Sequence, residues 1–327
     1  INQLLFNGEP NSLILIYAIL PIIPLNFFFL NYSYLLISRE DIKYYNYMIM
    51  IKAFIGSGGA SILLLIFDVG LWSVIMASVF SVFIALIFGI WHFNKTNVNS
   101  KMIFKLNKNL LKDFFNYSYK LYISGLIGYF NNYSMRLMLT ILLSPAKVAF
   151  FSLAQDRASL LNKIPDAVNL LLYPRVSNSD NHESSVSTIK AFRILLILSS
   201  FSSLLLAIFI YPLVLLMYGE AYISMVIPFI IILPGIVIHG TTSVFISYFN
   251  GIGRSDLTMT LSVFPLISQL ILGIIFINYF GIIGAAFSFT FSMFFFGILK
   301  TLFFMNISKL SFKEHIPTLS DYIYIFN

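Results

Sequence analysis

Six ionisable side chains interrupt segments of the chain that are otherwise almost wholly apolar: Lys52, Arg136, Asp156, Arg157, Lys163 and Asp166. His239 adds a titratable group in another such segment. A charged group is costly in an apolar medium unless it finds a partner or faces water. Residues of these types therefore indicate ion pairing, anion binding or proton transfer.

Apolar windows long enough to cross a bilayer account for most of the chain. Hydrophobic residues make up 59% of the 327 residues, charged residues make up 10%, and the mean hydropathy is +0.89. This composition predicts an all-α, polytopic membrane helical bundle. Nine transmembrane helices are visible, near residues 12–37, 45–67, 71–91, 116–143, 148–173, 190–217, 225–249, 258–279 and 284–306.

The basic residues are distributed unequally between the loops. Fifteen of the 20 Lys and Arg residues, including Lys300, fall in one alternating set of loops and helix ends, whereas the opposite set holds only Lys147. The positive-inside bias predicts that the first set, and with it the C-terminus, is cytoplasmic. The basic run from Lys95 to Lys112 is then interpreted as a cytoplasmic connector beside an anionic leaflet and not as a nucleic-acid site.

The first three apolar segments look like a second copy of the last three. Markers recur in the same order at an offset of 211 to 215 residues: Leu4-Leu5 and Gly8-Glu9 with Leu215-Leu216 and Gly219-Glu220, Leu20-Pro21 with Leu233-Pro234, Arg39 and Asp41 with Arg254 and Asp256, and Gly70 with Gly281. The repeat predicts two similar lobes, of which the first is incomplete. The predicted domains are 1–91 (three helices, the second half of an N-terminal lobe), 92–115 (a basic cytoplasmic connector between the lobes), 116–306 (a six-helix C-terminal lobe) and 307–327 (a cytoplasmic tail).

Two patterns of charge are visible around the turn at 144–147. Arg136 and Asp156 lie at similar distances from this turn, so an antiparallel hairpin places them at similar depth, where a salt bridge is one interpretation. On the predicted helix 148–173, Asp156, Lys163 and Asp166 fall within an arc of about 80°. This stripe lines either a water-filled path or a contact between helices. Pro165 is expected to kink the helix beside it.

Several motifs in this region and beyond it are informative together: 111–118 (LKDFFNYS), 132–137 (NYSMRL), 148–154 (VAFFSLA), 164–167 (IPDA), 172–177 (LYPRVS), 250–254 (NGIGR) and 281–286 (GIIGAA). They resemble the C-terminal lobe of polysaccharide, or O-antigen, flippases of the multidrug/oligosaccharidyl-lipid/polysaccharide exporter superfamily. Members usually have twelve helices in two lobes, so the resemblance implies an N-terminally truncated chain. Relatives often show an acidic-basic pair where this chain has Met135 and Arg136.

The resemblance implies a transporter of the bacterial inner membrane. It would flip a lipid-linked (undecaprenyl-pyrophosphate-type) oligosaccharide by alternating access for surface polysaccharide synthesis, with membrane lipids and other polysaccharide-assembly membrane proteins as partners. A lipid-linked peptidoglycan precursor flippase and a multidrug or cation antiporter of the same superfamily stay open as alternatives. No enzyme activity, cofactor, catalytic residue or metal site is expected, because nothing resembles a catalytic triad, a metal-binding motif or a phosphate-cradling glycine loop.

The candidate site follows from the charge that such a substrate carries. Cationic side chains in a central cavity would offer charge partners to a pyrophosphate, and the candidates are Lys52, Arg136, Arg157 and Lys163. Candidates for pairing or for lining the cavity are Asp156, Asp166, His239, Asn132 and Tyr133, with Tyr129, Asn131 and Asn169 as further surfaces for sugars. His239 is either a proton switch, since histidine titrates near neutral pH, or a helix-packing residue.

Overall fold

A computed structural model describes residues 17–39, 41–67, 71–96 and 108–310, and the regular elements in these ranges are all helical. The prediction of an all-α membrane bundle is confirmed. A bilayer core offers no water to backbone groups, and a helix satisfies its hydrogen bonds within one segment. The centre of the predicted connector, most of the predicted tail and the markers at Leu4-Leu5, Gly8-Glu9 and Gly70 lie outside the described residues.

The chain divides into two compact units, an N-terminal unit (Ile1–Lys105) and a C-terminal unit (Leu106–Asn327). The described helices of the N-terminal unit are α1 (Ile22–Ser38), α2 (Ile42–Ala53), α3 (Gly59–Phe67) and α4 (Leu71–Thr96). A π-helical turn, Phe54–Gly58, joins α2 to α3. Their core is a cluster of Phe29, Leu36, Met48, Val82 and Ala85. Because these residues come from α1, α2 and α4, the three helices pack as one bundle.

A contact between a carboxylate and a histidine ring joins α2 to α4. Asp41, at the start of α2, lies 2.7 Å from Nε2 of His92, near the end of α4. The Tyr44 ring stacks on the His92 ring with centroids 3.4 Å apart. Arg39 caps the C-terminus of α1, and Asp41 caps the N-terminus of α2.

The C-terminal unit contains seven described α-helices: α5 (Lys108–Leu142), α6 (Pro145–Ala158), α7 (Lys163–Asn178), α8 (Asn181–Tyr218), α9 (Val226–Thr241), α10 (Ser243–Gly251) and α11 (Ser255–Ser308). Short 3₁₀ segments, Ser159–Asn162 and Glu220–Met225, join α6 to α7 and α8 to α9. Two apolar clusters fill the unit. One includes Met135, Phe151 and Phe229, and the other includes Phe245 and Phe304.

The single predicted helix 148–173 is wrong in one respect, because the 3₁₀ segment divides it. Rotation per residue differs between 3₁₀ and α geometry, so the arc calculated for Asp156, Lys163 and Asp166 does not hold across the break. The break also precedes Pro165, which lies in the first turn of α7, where proline is tolerated. The change of helix type thus lies at Ser159–Asn162, three to six residues before Pro165.

Helix α11 contains the predicted turn at Gly281. Gly281 has φ 60° and ψ −132°, a backbone conformation that side chains with a Cβ rarely adopt, and it splits α11 into two helical halves. In the described residues six helical stretches are long and apolar enough to cross a membrane, and one of them is the whole of α11. The stretches of α5 and of α6 with α7 fall outside that set, so the predicted count of nine spans is not established.

A seam of polar side chains joins α5 to α11. The hydroxyls of Ser124 and Ser262 lie 2.8 Å apart, and Gln269 Nε2 donates to the Asn131 carbonyl at 2.9 Å and to Ser134 Oγ at 2.8 Å. Gln269 is fully buried. Hydrogen bonds of this kind hold helices together in lipid, where apolar contact alone gives little preference for another helix. The seam fixes the face of α5 that turns inward.

We expect Gly284→Ala to destabilise the protein by about 3 kcal/mol, because a Cβ at this position would collide with the backbone carbonyl of Phe276 across the Gly281 break. Gly125→Ala is the matched control, since a Cβ on this helical glycine of α5 would meet nothing within 4 Å. Thermal unfolding in detergent, followed by size-exclusion fluorescence, measures both. Equal melting temperatures for the two variants would contradict the close approach at Gly284.

Candidate functional site

The predicted salt bridge between Arg136 and Asp156 is present in the structure. Arg136 lies on α5 and Asp156 on α6, and the tight turn before Pro145 brings the two helices together as a hairpin. Arg136 Nη2 pairs with Asp156, and Nε donates to Gln155 Oε1 at 3.0 Å. The guanidinium carbon lies 5.4 Å from the centre of the Tyr133 ring. Three neighbours therefore hold the guanidinium in one orientation.

Gln155 holds the Arg136 side chain in place through hydrogen bonds. It is buried, its amide nitrogen donates to the Asn132 carbonyl at 3.2 Å, and its oxygen accepts from Arg136. The Arg136 side chain is 23% exposed and that of Asp156 is 54% exposed. A guanidinium has five N–H donors, and these two bonds use two of them. The pair therefore stays at the surface of the C-terminal unit with donors available to a further anion.

Aromatic and amide groups continue the same face of α5. Tyr129, Asn132, Tyr133 and Arg136 follow the three- and four-residue spacing of one helix face, and Tyr129, Asn132 and Tyr133 are exposed. The Tyr129 and Tyr133 rings lie 4.5 Å apart. We define these four residues together with Asp156 as the Arg136 cluster. Asn131, by contrast, is buried in the seam with α11, which places it away from this face.

The other candidates on α7 have different surroundings. Lys163 and Asp166 are both exposed near the start of α7, and Lys163 forms no ion pair within the described ranges. Asn169 donates to Ser243 Oγ at 2.6 Å and accepts from Ser247 Oγ at 2.8 Å. Asn169 is thus occupied in joining α7 to the region of α10.

Two of the predicted cations have partners other than those of the Arg136 cluster. Lys52, in the N-terminal unit, donates to Asn26 Oδ1 at 2.9 Å and lies 4.4 Å from the centre of the Phe29 ring. Arg157 points its guanidinium over the Tyr218 ring at 5.8 Å, away from the partner of its neighbour Asp156. Lys52, Arg136 and Arg157 thus each have different local partners.

His239 is enclosed in the C-terminal unit. Its Nδ1 is buried without a hydrogen-bond partner among the described residues, and its ring centroid lies 6.0 Å from that of Phe296. The backbone carbonyl of His239 accepts a hydrogen bond from Lys300.

Lys300 is the residue that sequence reasoning missed. Its side chain is 1% exposed, its Nζ donates to the His239 carbonyl at 3.3 Å, and it lies 4.2 Å from the centre of the Phe296 ring. No carboxylate pairs with it in the part of the chain that the structure describes. The assignment of Lys300 to a loop or helix end is therefore wrong: it is a buried cation inside α11.

The described residues contain no group of three His, Cys, Asp or Glu side chains placed to hold a metal ion. The ionisable groups occur instead as pairs or single residues, which suits charge recognition. The fold and these groups are those of a multi-pass, helical membrane protein with a charged and aromatic cluster on its C-terminal unit.

Sequence comparison then assigns the family. A family model described as "Polysaccharide biosynthesis protein" matches residues 14–227, and the chain belongs to this family. The family resemblance derived from the sequence motifs is thereby confirmed. Comparison by sequence with curated proteins finds no match.

Solved structures of MATE transporters have a similar fold. A mutant of the Vibrio cholerae MATE transporter VcmN is 15% identical, with a TM-score of 0.79 over 94% of this chain and 73% of that chain. An outward-facing multidrug resistance MATE transporter of the MOP superfamily is 17% identical, with a TM-score of 0.70 over 80% of this chain and 62% of that chain. The Vibrio cholerae VcmN transporter in a bent form is 16% identical, with a TM-score of 0.68 over 85% of this chain and 63% of that chain. This chain thus spans less than two thirds of the last two structures.

We expect Lys300→Met to raise stability by about 2 kcal/mol, because it replaces a buried, unpaired cation by an apolar side chain of similar length. Lys112→Met, at an exposed position near the start of α5, is the control and should change the melting temperature little. Thermal unfolding in detergent measures both variants. A lower melting temperature for Lys300→Met would show that the ammonium group stabilises the bundle.

Proposed function

We propose that the protein is a membrane transporter that moves a lipid-linked oligosaccharide, joined to its carrier by pyrophosphate, across the bacterial inner membrane by alternating access. Membership in the polysaccharide biosynthesis family and the MATE-like fold support a transporter of this kind. The observation that carries the proposal is the Arg136 cluster. It combines an oriented guanidinium with exposed aromatic and amide groups on one helix face.

The two parts of such a substrate match the two parts of the cluster. A guanidinium binds phosphate oxygens through paired N–H donors, which a bilayer core cannot supply. Tyr129 and Tyr133 are 60% and 42% exposed and offer flat apolar faces with hydroxyls, which suit sugar rings. Asn132 adds an exposed amide next to them. Lys163, exposed and without an ion pair in the described ranges, is the second cation that we include.

Asp156 explains how the cation is kept when no substrate is bound. An unpaired arginine within a bilayer core costs a few kcal/mol, on the order of 3 by insertion measurements. Pairing with Asp156 offsets part of this cost. The more exposed carboxylate can turn to water when a phosphate takes its place. Asp156 is thus a counter-ion that the substrate displaces. The affinity of Arg136 for the substrate then reflects the difference between binding a phosphate and binding Asp156, which keeps release of the substrate possible.

A multidrug or cation antiporter is the second candidate, supported by the MATE structures and by the exposed Asp156 carboxylate. Asp156 is already neutralised by Arg136. An organic cation would have to displace a bound guanidinium. An anionic substrate therefore fits the Arg136 cluster better. A lipid-linked peptidoglycan precursor has the same pyrophosphate chemistry and differs in its sugars.

We expect Arg136→Ala to lower surface glycan display at least about tenfold, because it removes a charge-assisted phosphate contact. Arg136→Lys should retain part of the activity, since it keeps the charge but not the paired donors. Immunoblotting of surface glycan in cells that depend on the protein measures display. Membrane abundance is measured in parallel, and Lys147→Ala, an exposed cation of α6 outside the cluster, is the matched control.

The exchange of charges, Arg136→Asp with Asp156→Arg, separates substrate binding from a structural ion pair. It restores opposite charges across the hairpin but moves the cation off the aromatic face of α5. We expect normal membrane insertion and little glycan display. Full display in the exchanged protein would overturn the proposal and leave the pair a structural role only.

Drug export tests the second candidate directly. In a strain made sensitive by loss of its own efflux pumps, production of the protein should leave resistance to cationic dyes unchanged. Resistance that is gained with the protein and lost with Asp156→Asn would favour the antiporter instead.

A further inference from the structure

A cleft opens beside α8 in the C-terminal unit. It has a volume of about 300 Å³ and lies between the α6–α7 region and α8, with Leu206, Ile210, Met217 and Phe229 among the apolar residues of its wall. Leu160 and Met217, also part of the wall, are 54% and 63% exposed. Exposed apolar walls of this kind suit contact with lipid chains.

Arg157 provides the positive charge at this cleft. It lines the cleft, is exposed, and has the Tyr218 ring as its neighbour at 5.8 Å. Its neighbour Asp156 is paired with Arg136, and no carboxylate pairs with Arg157 among the described residues. Tyr218 is the last residue of α8, so the guanidinium reaches toward a helix end, as long cationic side chains do near the surface of a membrane.

Tyr218 supplies a second polar group. It lines the same cleft, and its hydroxyl oxygen is buried without a hydrogen-bond partner in the described structure. A buried hydroxyl that makes no hydrogen bond is unfavourable, and an acceptor oxygen would remove this deficit. The exposed Arg157 and the Tyr218 side chain thus line one cleft whose other walls are apolar.

We infer that the cleft binds an anionic phospholipid of the bilayer, whose phosphodiester accepts hydrogen bonds from Arg157 and Tyr218 while one acyl chain occupies the apolar walls. One cation in the cleft matches the single negative charge of a phosphodiester. The lateral opening through Leu160 and Met217 gives bilayer lipids direct access. The inference uses Arg157, which lies outside the Arg136 cluster, and does not depend on the proposed transport function.

Lipid titration followed by native mass spectrometry tests this site on the purified full chain. Phosphatidylglycerol and phosphatidylethanolamine with identical acyl chains are added separately to the protein in detergent. We expect phosphatidylglycerol to bind more tightly to the wild type, and Arg157→Gln to weaken it roughly tenfold through loss of a charge-assisted contact. Lys147→Gln, an exposed cation of the same helix α6 outside the cleft, should leave binding unchanged.

Two further arms decide what occupies the cleft. Leu206→Trp should reduce binding of phosphatidylglycerol by filling the wall, with a melting temperature in detergent confirming that the variant is folded. Equal affinity for the two phospholipids, or unchanged phosphatidylglycerol binding in Arg157→Gln, would overturn the inference. Displacement of phosphatidylglycerol by equimolar polyprenyl phosphate would also overturn it, since the cleft would then bind a carrier lipid.

Discussion

The cost of a charge in an apolar medium governs how this protein arranges its ionisable side chains. Four cations of the helical bundles meet that cost in different ways. Arg136 pairs with a carboxylate, Lys52 uses an amide oxygen and a ring, and Arg157 reaches a tyrosine at a helix end. Lys300 has a carbonyl and a ring. Arg136 alone among these four combines an ion pair with an exposed polar and aromatic face.

The fold of the C-terminal unit makes that combination possible. Helix α5 uses one face for the hydrogen-bonded seam with α11, through Ser124, Asn131 and Gln269. Because successive residues of a helix differ by about 100°, Asn132 turns outward while Asn131 turns inward. The seam therefore fixes the rotation of α5, and that rotation presents the tyrosines and Arg136 on the opposite side. Packing and recognition are linked through one helix.

Much of this arrangement is readable in the sequence, and the rest depends on tertiary contacts. The helices are predictable because lipid requires long apolar windows, and the Arg136–Asp156 pair follows from equal spacing around one turn. The break at Ser159–Asn162 has no glycine or proline within it, so no local signal marks it. Lys300 lies six residues before the end of the predicted window 284–306, and only packing shows that its side chain is buried. Predicting the seam between α5 and α11 likewise requires knowing which helices are neighbours, and residue spacing within one helix does not give this.

The central claim is that the Arg136 cluster binds the pyrophosphate linkage of a lipid-linked oligosaccharide. Its most direct test is the affinity of the purified protein for a polyprenyl-pyrophosphate disaccharide, compared with the matching monophosphate, in wild type and Arg136→Ala. We expect the pyrophosphate compound to bind more tightly to the wild type and to lose roughly tenfold in affinity in the variant. Equal affinities of the two proteins for the pyrophosphate compound would contradict the account.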